Sequence, residues 1–313
     1  MAHPRKFRFG VQTSSAGSAA EWRDQARRIE DLGYSTLFMP DHFVDTPLAP
    51  MVALAFAAEA TTTLRVGHLV LGNDYKHPAV VAKEAATLDL LSDGRLELGL
   101  GAGWMIADYE QLGLPYDSPG TRIERLDEAL AVVKGCFADG PFDFAGSHYT
   151  ISGYDASPQP VQRPHPPIVV GGGGPKVLRL AGREADIVGI NPNLRAGAVT
   201  ADAVQDTLTE NTLQKIEWIR EGAGERFDDL ELQIRYFVAA ITDDARGFAE
   251  MLAPGFGVEA DDALHSSVAC VGTVDEVCDL LVRRREEWGV SYCVFGEDTF
   301  EAFAPVVGRL AGT

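Results

Sequence analysis

Short apolar runs alternate with longer amphipathic segments along the whole chain, and this rhythm constrains the fold more than any other feature. The runs are Phe7–Gln12, Thr36–Pro40, Leu64–Leu71, Arg95–Gly101, Ile168–Gly171, Ile187–Asn191, Leu232–Ala239 and Tyr292–Phe295. Most are apolar nearly throughout, the pattern of parallel strands covered on both faces. Eight strands separated by helices predict an α/β protein, a TIM-like (β/α)8 barrel with function at the C-terminal strand ends. A doubly wound sheet is the competitor. It would show a Gly-rich turn after the first strand, and Gln12-Thr-Ser-Ser is not one.

The intervening helices carry their own start and stop signals. Ser18 with Glu21, and Thr273 with Glu276, have the spacing of capping boxes. Pro78 suits a first helical turn, and Ser92-Asp93-Gly94 a helix end. Ala19, Trp22, Ala26 and Ile29 share one helix face. The 313 residues suit one barrel domain with two additions. Residues 140–167 are too rich in Pro to be helical and read as an extended insertion. Residues 243–267 give mixed signals and read as a lid with short helices. These two segments are the expected walls of the substrate site.

Asp plus Glu total 46 against 27 Lys plus Arg, a net charge of −19. That balance excludes nucleic acid and anionic membranes as natural partners. Any phosphate site must be built locally, within a Debye length of about 8 Å. Cys136, Cys270, Cys278 and Cys293 show no C-x-x-C spacing and read as buried free thiols; no metal site is expected. The first residues lack a signal-peptide h-region and no apolar run reaches membrane-spanning length, so a cytoplasmic protein is expected.

Four stretches have chemical potential. Asp41-His42 follows the second strand, where a barrel presents side chains at its mouth; His suits proton transfer, and the alternative is a plain strand-end turn. Gly171-Gly172-Gly173-Gly174-Pro175-Lys176 joins a strand to a helix. Bare amides at a helix N-terminus bind anions, with Lys176, Arg179 and Arg183 as local positive charge; the alternative is an unliganded turn. Gly99-Leu-Gly-Ala-Gly103-Trp104 admits either a flat ligand or tight strand packing. Leu69-Val70-Leu71-Gly72-Asn73-Asp74 either backs a planar ring or is simple core. His77 reads as a helix cap and His68 as a satisfied core residue. Neither H-E-x-x-H nor G-x-S-x-G occurs, which leaves zincin and hydrolase readings without support.

Together these segments resemble the luciferase-like monooxygenase superfamily, and more closely its coenzyme F420-dependent oxidoreductase branch. The resemblance rests on Gly33-Tyr-Ser-Thr-Leu-Phe-Met-Pro-Asp-His-Phe43, the long stretch from His77 to Trp104, Gln159–Pro167 with the glycines that follow, and Val271–Glu276. It implies a barrel, usually dimeric, that holds a deazaflavin at its mouth and transfers hydride to or from a small organic substrate. It places Asp41 and His42 beside the ring, with His42 as proton carrier. It places a non-prolyl cis peptide at Leu69-Val70, Gly72 near the ring, Ala102-Gly103 along the ring or ribityl chain, and Gly171–Gly174 with Asn191 at the phosphate. A ring-proximal polar residue and a phosphate-proximal Lys of some relatives align with Ala107 and Leu194, so that part of the contact set is either missing or supplied by neighbours such as Asp108 and Arg195. An FMN-dependent monooxygenase on the same barrel and a non-catalytic flavin or deazaflavin binder are the alternatives.

Overall fold

Eight parallel strands close on themselves in the computed structural model, which describes residues 5–44 and 46–313. The barrel strands are β1 (Arg8–Gln12), β2 (Thr36–Met39), β3 (Arg65–His68), β4 (Leu96–Gly101), β5 (Ile168–Gly172), β6 (Ile187–Ile190), β7 (Glu231–Arg235) and β8 (Val290–Gly296). Each pairs with the next, and β8 pairs back with β1. The expected barrel is therefore the observed fold. Among the described residues no helix is long and apolar enough to cross a membrane.

Alternate residues of each strand point into the barrel and fill it in layers. The floor is polar. Fully buried Glu97 accepts hydrogen bonds from Arg8, from Arg65 Nε at 2.8 Å and from Tyr292 Oη at 3.0 Å. Above it, Phe38, Val169, Ile187, Tyr292 and Val294 pack beneath Leu69 and Val70. Gly10 and Gly67 make room for the Phe38 ring, since a Cβ on either would lie 2.9 or 2.8 Å from it. The apolar support under the mouth thus comes from four different strands.

Two of the expected strands are interrupted, and the two additions to the barrel take definite form. The run Leu64–Leu71 breaks at His68, where the Leu69-Val70 peptide is cis, and resumes as the short strand Leu71–Gly72 beside β4. The run Leu232–Ala239 carries two strands. The chain leaves the barrel at Tyr236, which is buried against Phe295, and Val238–Ile241 pairs instead with Ala269–Gly272. Residues 140–167 include an antiparallel hairpin, Phe142–Ala145 with Thr150–Tyr154. It packs on helix Pro119–Phe137, where the Phe142 ring closes over Gly135. Residues 243–267 form helices Ala245–Phe256 and Ala260–His265.

The helix signals largely hold. Thr273 and Glu276 make a full capping box. Ser18 caps Glu21 N, but the Glu21 carboxylate reaches Gly17 N rather than closing the box. His77 caps its helix by accepting from Ala79 N.

Candidate active site

A cleft of about 410 Å³ opens at the C-terminal mouth of the barrel, a volume within the usual range for small-molecule sites. Asp41, His42, Leu69, Val70, Gly72, Ala102, Gly103, Gly171, Gly172, Gly173, Gly174 and Asn191 all line it. Residues 140–167 and 243–267 do not. The expectation that these segments wall the site is corrected: the hairpin lies on an outer helix, and the second segment lies beyond the small sheet formed by Val238–Ile241.

The polar end of the cleft is built on the turn after β2. His42 Nδ1 lies 2.7 Å from Asp108 Oδ2. Asp108 is fully buried, and its Oδ1 accepts from Phe43 N at 2.8 Å and Val44 N at 3.0 Å. Tyr75 Oη donates to Oδ2 at 3.2 Å. Burial raises the Asp108 carboxyl, but the bonds from His42 and the two amides outweigh it and hold the group below the ordinary carboxylate range. A carboxylate against Nδ1 requires a hydrogen there, which leaves Nε2 for the cleft. The Trp104 ring stands edge-on to the imidazole, centroids 5.5 Å apart. Asp41 Oδ2 accepts from Gly72 N at 3.1 Å. Burial raises the Asp41 carboxyl, and the Gly72 amide offsets that only in part. Asp108 therefore acts from beneath His42 and does not line the cleft.

The back wall is apolar, made by Leu69, Val70, Leu71 and Ala102. Glycines at the end of β4 let this wall approach. A Cβ at Gly99 would lie 1.8 Å from His68 O, and one at Gly101 would lie 2.6 Å from Val70 Cγ2. Tight packing of these glycines against the bulge at Leu69-Val70 shapes the wall. Gly103 has φ +74°, and its carbonyl accepts from buried Arg122 Nη1 at 3.0 Å.

The opposite end is the glycine loop. Helix Pro175–Glu184 begins at Gly174 with no side-chain cap, so its first amides remain available at the cleft. Packing explains two of the glycines: a Cβ would lie 2.4 Å from Val177 at Gly172 and 2.3 Å from Pro192 O at Gly173. The expected local cations are corrected. Lys176 pairs with Glu124, Arg179 with Glu221 and Arg183 with Asp127, and none of the three lines the cleft. The helix turns their side chains outward to acidic neighbours. Arg195 lines the cleft instead. Buried Lys215 holds the facing segment by donating to Asn191 O at 3.0 Å, in an ion pair with Asp206 at 2.6 Å.

His68 is corrected too. It is fully buried with neither ring nitrogen hydrogen-bonded, and burial lowers its pKa to about 3. Gln12, Tyr75 and Arg235 also line the cleft. A chain position at a strand end is their only sequence signal. Among the described residues no His, Cys, Asp and Glu cluster could hold a metal ion. Cys136, Cys270 and Cys293 are buried and free, whereas Cys278 is half-buried.

Fold and mouth together define a (β/α)8 barrel with a ligand-sized cleft that joins a His–carboxylate pair to an amide-lined loop. The chain belongs to the luciferase-like monooxygenase family, whose sequence profile matches residues 5–246. It is 30% identical to an F420-dependent glucose-6-phosphate dehydrogenase of Nakamurella multipartita over 79% of this chain and 72% of that one. It is 28% identical to an FMNH2-dependent dimethylsulfone monooxygenase of Pseudomonas putida over 65% of this chain, but that match spans only 55% of the relative. The fold is that of the coenzyme F420-dependent tetrahydromethanopterin reductase of Methanopyrus kandleri, with TM-score 0.77 and 20% identity over 98% of this chain and 99% of that one.

Proposed function

We propose that the protein is a cytoplasmic coenzyme F420-dependent oxidoreductase that moves a hydride between the deazaflavin and a small organic substrate. The observation that carries the reading is the 2.7 Å bond from His42 to Asp108, which presents Nε2 to a cleft with an apolar wall. Similarity to the F420-dependent glucose-6-phosphate dehydrogenase over most of the chain supports the cofactor.

The residues present fit that group. Leu69, Val70, Gly72, Ala102 and Gly103 would lie along the ring and its side chain. Gly171, Gly172, Gly173 and Gly174, with Asn191 and Arg195, would hold the phosphate. A bound F420 supplies a carbon that carries a hydride. His42 takes up or returns the accompanying proton at Nε2, a role typically worth about 10²–10⁴-fold. Asp108 keeps the imidazole oriented for that exchange. Asp41 holds the Gly72 amide, and so the bulge, in register with His42. The apolar wall excludes water from one face and leaves the other to substrate, so that the mouth positions two flat reactants.

The test is His42→Ala. Single-turnover hydride transfer should fall by 10²-fold or more while F420 affinity stays within about 3-fold. Lost F420 binding with unchanged single-turnover transfer would sink the assignment. An FMN-dependent monooxygenase is the second reading, favoured by the likeness to the dimethylsulfone monooxygenase; oxygen uptake with reduced FMN would select it.

The same reading includes a homodimer. Neighbouring helices Pro50–Ala60 and Pro78–Leu91 are apolar on most sides, and they leave Val52, Phe56, Val80, Leu90 and Leu91 exposed. Helices apolar all round belong in an interior or an interface.

A further inference from the structure

The cofactor reading occupies the mouth from β2 round to β6. The remaining side, formed by β7, β8 and β1, holds a cation with no role in that reading. Arg235 ends β7 and lines the cleft. Its Nε donates to Gln12 Oε1 at 3.1 Å, and its Nη1 donates to Tyr236 O. Gln12 in turn donates from Nε2 to Leu69 O at 2.8 Å, so the guanidinium is fixed relative to the bulge.

Nη2 has no hydrogen-bond partner among the described residues, and no carboxylate forms an ion pair with the group. Glu297 is turned to Thr13 and Ser14. Asp298 lies close by, across Gly296, without forming an ion pair, and its charge and that of Glu297 favour the charged guanidinium. Gly296 leaves room for both groups: a Cβ there would lie 2.7 Å from Nη2 and 2.4 Å from Asp298 Oδ1. Other cations near the mouth are committed elsewhere. Arg122 is bonded to Gly103 O and stacked on Tyr116, and Lys76 is paired with Glu84. Arg195 also lines the cleft, on the segment after β6 that the cofactor reading assigns to the phosphate.

A half-buried guanidinium whose Nη2 donates to no group keeps donors for an anionic ligand that can reach it from the cleft. Burial lowers the Arg235 pKa to about 10, which leaves it charged at neutral pH. The protein's charge of −19 repels anions at long range, so a cation at the mouth selects at short range. Beside it, the Phe237 ring lies 5.0 Å from the guanidinium carbon, is 57% exposed and lines the same cleft. An exposed aromatic face next to a free cation suits a flat apolar body that ends in a compact oxyanion.

We propose that Arg235 binds the carboxylate of the substrate through Nη2 while Phe237 supports its apolar body, so that the substrate class is apolar or aromatic carboxylic acids. This rests on the reading that β2 to β6 hold the cofactor.

Calorimetric titrations with benzoate and its neutral isostere benzamide test the proposal, on F420-saturated and cofactor-free protein. Wild-type protein should bind benzoate at least about 10-fold tighter than benzamide. Arg235→Gln should abolish that preference by weakening benzoate about 10- to 100-fold, with benzamide unchanged. Arg235→Lys should keep part of the preference. A merely structural role would weaken both ligands equally, so an unchanged benzoate-to-benzamide ratio in Arg235→Gln overturns the proposal. Equal binding of the two ligands by wild-type protein, or binding of neither, overturns it as well. F420 affinity, measured on the same samples, should stay within 3-fold in both variants; a larger loss assigns Arg235 to the cofactor and overturns the substrate role. Wild-type protein that binds no F420 refutes the cofactor reading, and with it the division of the mouth on which this proposal stands. The cofactor-free benzoate titration then tells the two failures apart, because a surviving Arg235-dependent preference keeps the carboxylate site itself.

Discussion

Asp108→Asn is the sharpest probe of the mouth, because it changes one atom in the group that orients His42. In the protein, Oδ1 receives Phe43 N and Val44 N while Oδ2 receives His42 Nδ1–H and Tyr75 Oη. An amide keeps its oxygen on the two backbone donors and turns an NH2 toward His42. Two donors would then face each other, so the imidazole must move its hydrogen to Nε2 and accept at Nδ1. Tyr75 adapts by rotating its hydroxyl. The two backbone bonds fall from charge-assisted to neutral, a loss of roughly 1 kcal/mol each, and stability drops by about 2 kcal/mol. Proton exchange at Nε2 suffers more, since the variant places a hydrogen where a lone pair is needed. Single-turnover hydride transfer should slow by about 10²–10⁴-fold, with F420 affinity nearly intact. Long-range 1H–15N spectra of histidine-labelled protein read the tautomer directly. A variant that keeps hydrogen on His42 Nδ1, or one that shifts tautomer at unchanged rate, would refute the reasoning.

Three further outcomes follow from the same geometry. Burial raises the Asp41 carboxyl above the ordinary carboxylate range, so the folded state binds that proton more tightly than the unfolded chain and ionisation costs stability as pH rises. Asp41→Asn should therefore raise Tm at pH 7.5, with a gain that shrinks toward pH 4; a pH-independent gain would contradict this. Glu97→Ala leaves Arg8 and Arg65 without their shared buried carboxylate and should destabilise by about 3–5 kcal/mol in urea titrations; a loss under 1 kcal/mol would show that the floor network is dispensable. Leu91→Asp places a charge on a residue that is 73% exposed on the apolar helix pair. Sedimentation should then show monomer where wild-type protein shows dimer, without loss of Tm; two species of equal mass would remove the interface.

Much of this mouth is legible in the chain because its pieces are local. Asp41-His42 and Gly171–Gly174 each sit at the end of an apolar strand, so the barrel alone places them. The bulge at Leu69-Val70 follows the resemblance, and the structure has its cis peptide there. What stays hidden depends on pairings across the barrel. Asp108 meets His42 from 66 positions away, and nothing near it announces that it points down rather than into the cleft. Lys176 looks like a phosphate ligand beside four glycines, yet Glu124 on the adjoining helix turns it outward. The run Leu232–Ala239 reads as one strand because hydropathy does not register that Tyr236 is drawn outward against Phe295. Arg235 and Phe237, which flank that exit, are hidden for the same reason.

The central claim is that this mouth is made for a deazaflavin, and side-by-side titration of purified protein with F420 and FMN tests it most directly. The account predicts tight F420 binding, weakened when Gly174 is replaced by Asp at the helix N-terminus, and negligible binding of FMN. Tight FMN binding with oxygen consumption, and no binding of F420, would contradict it.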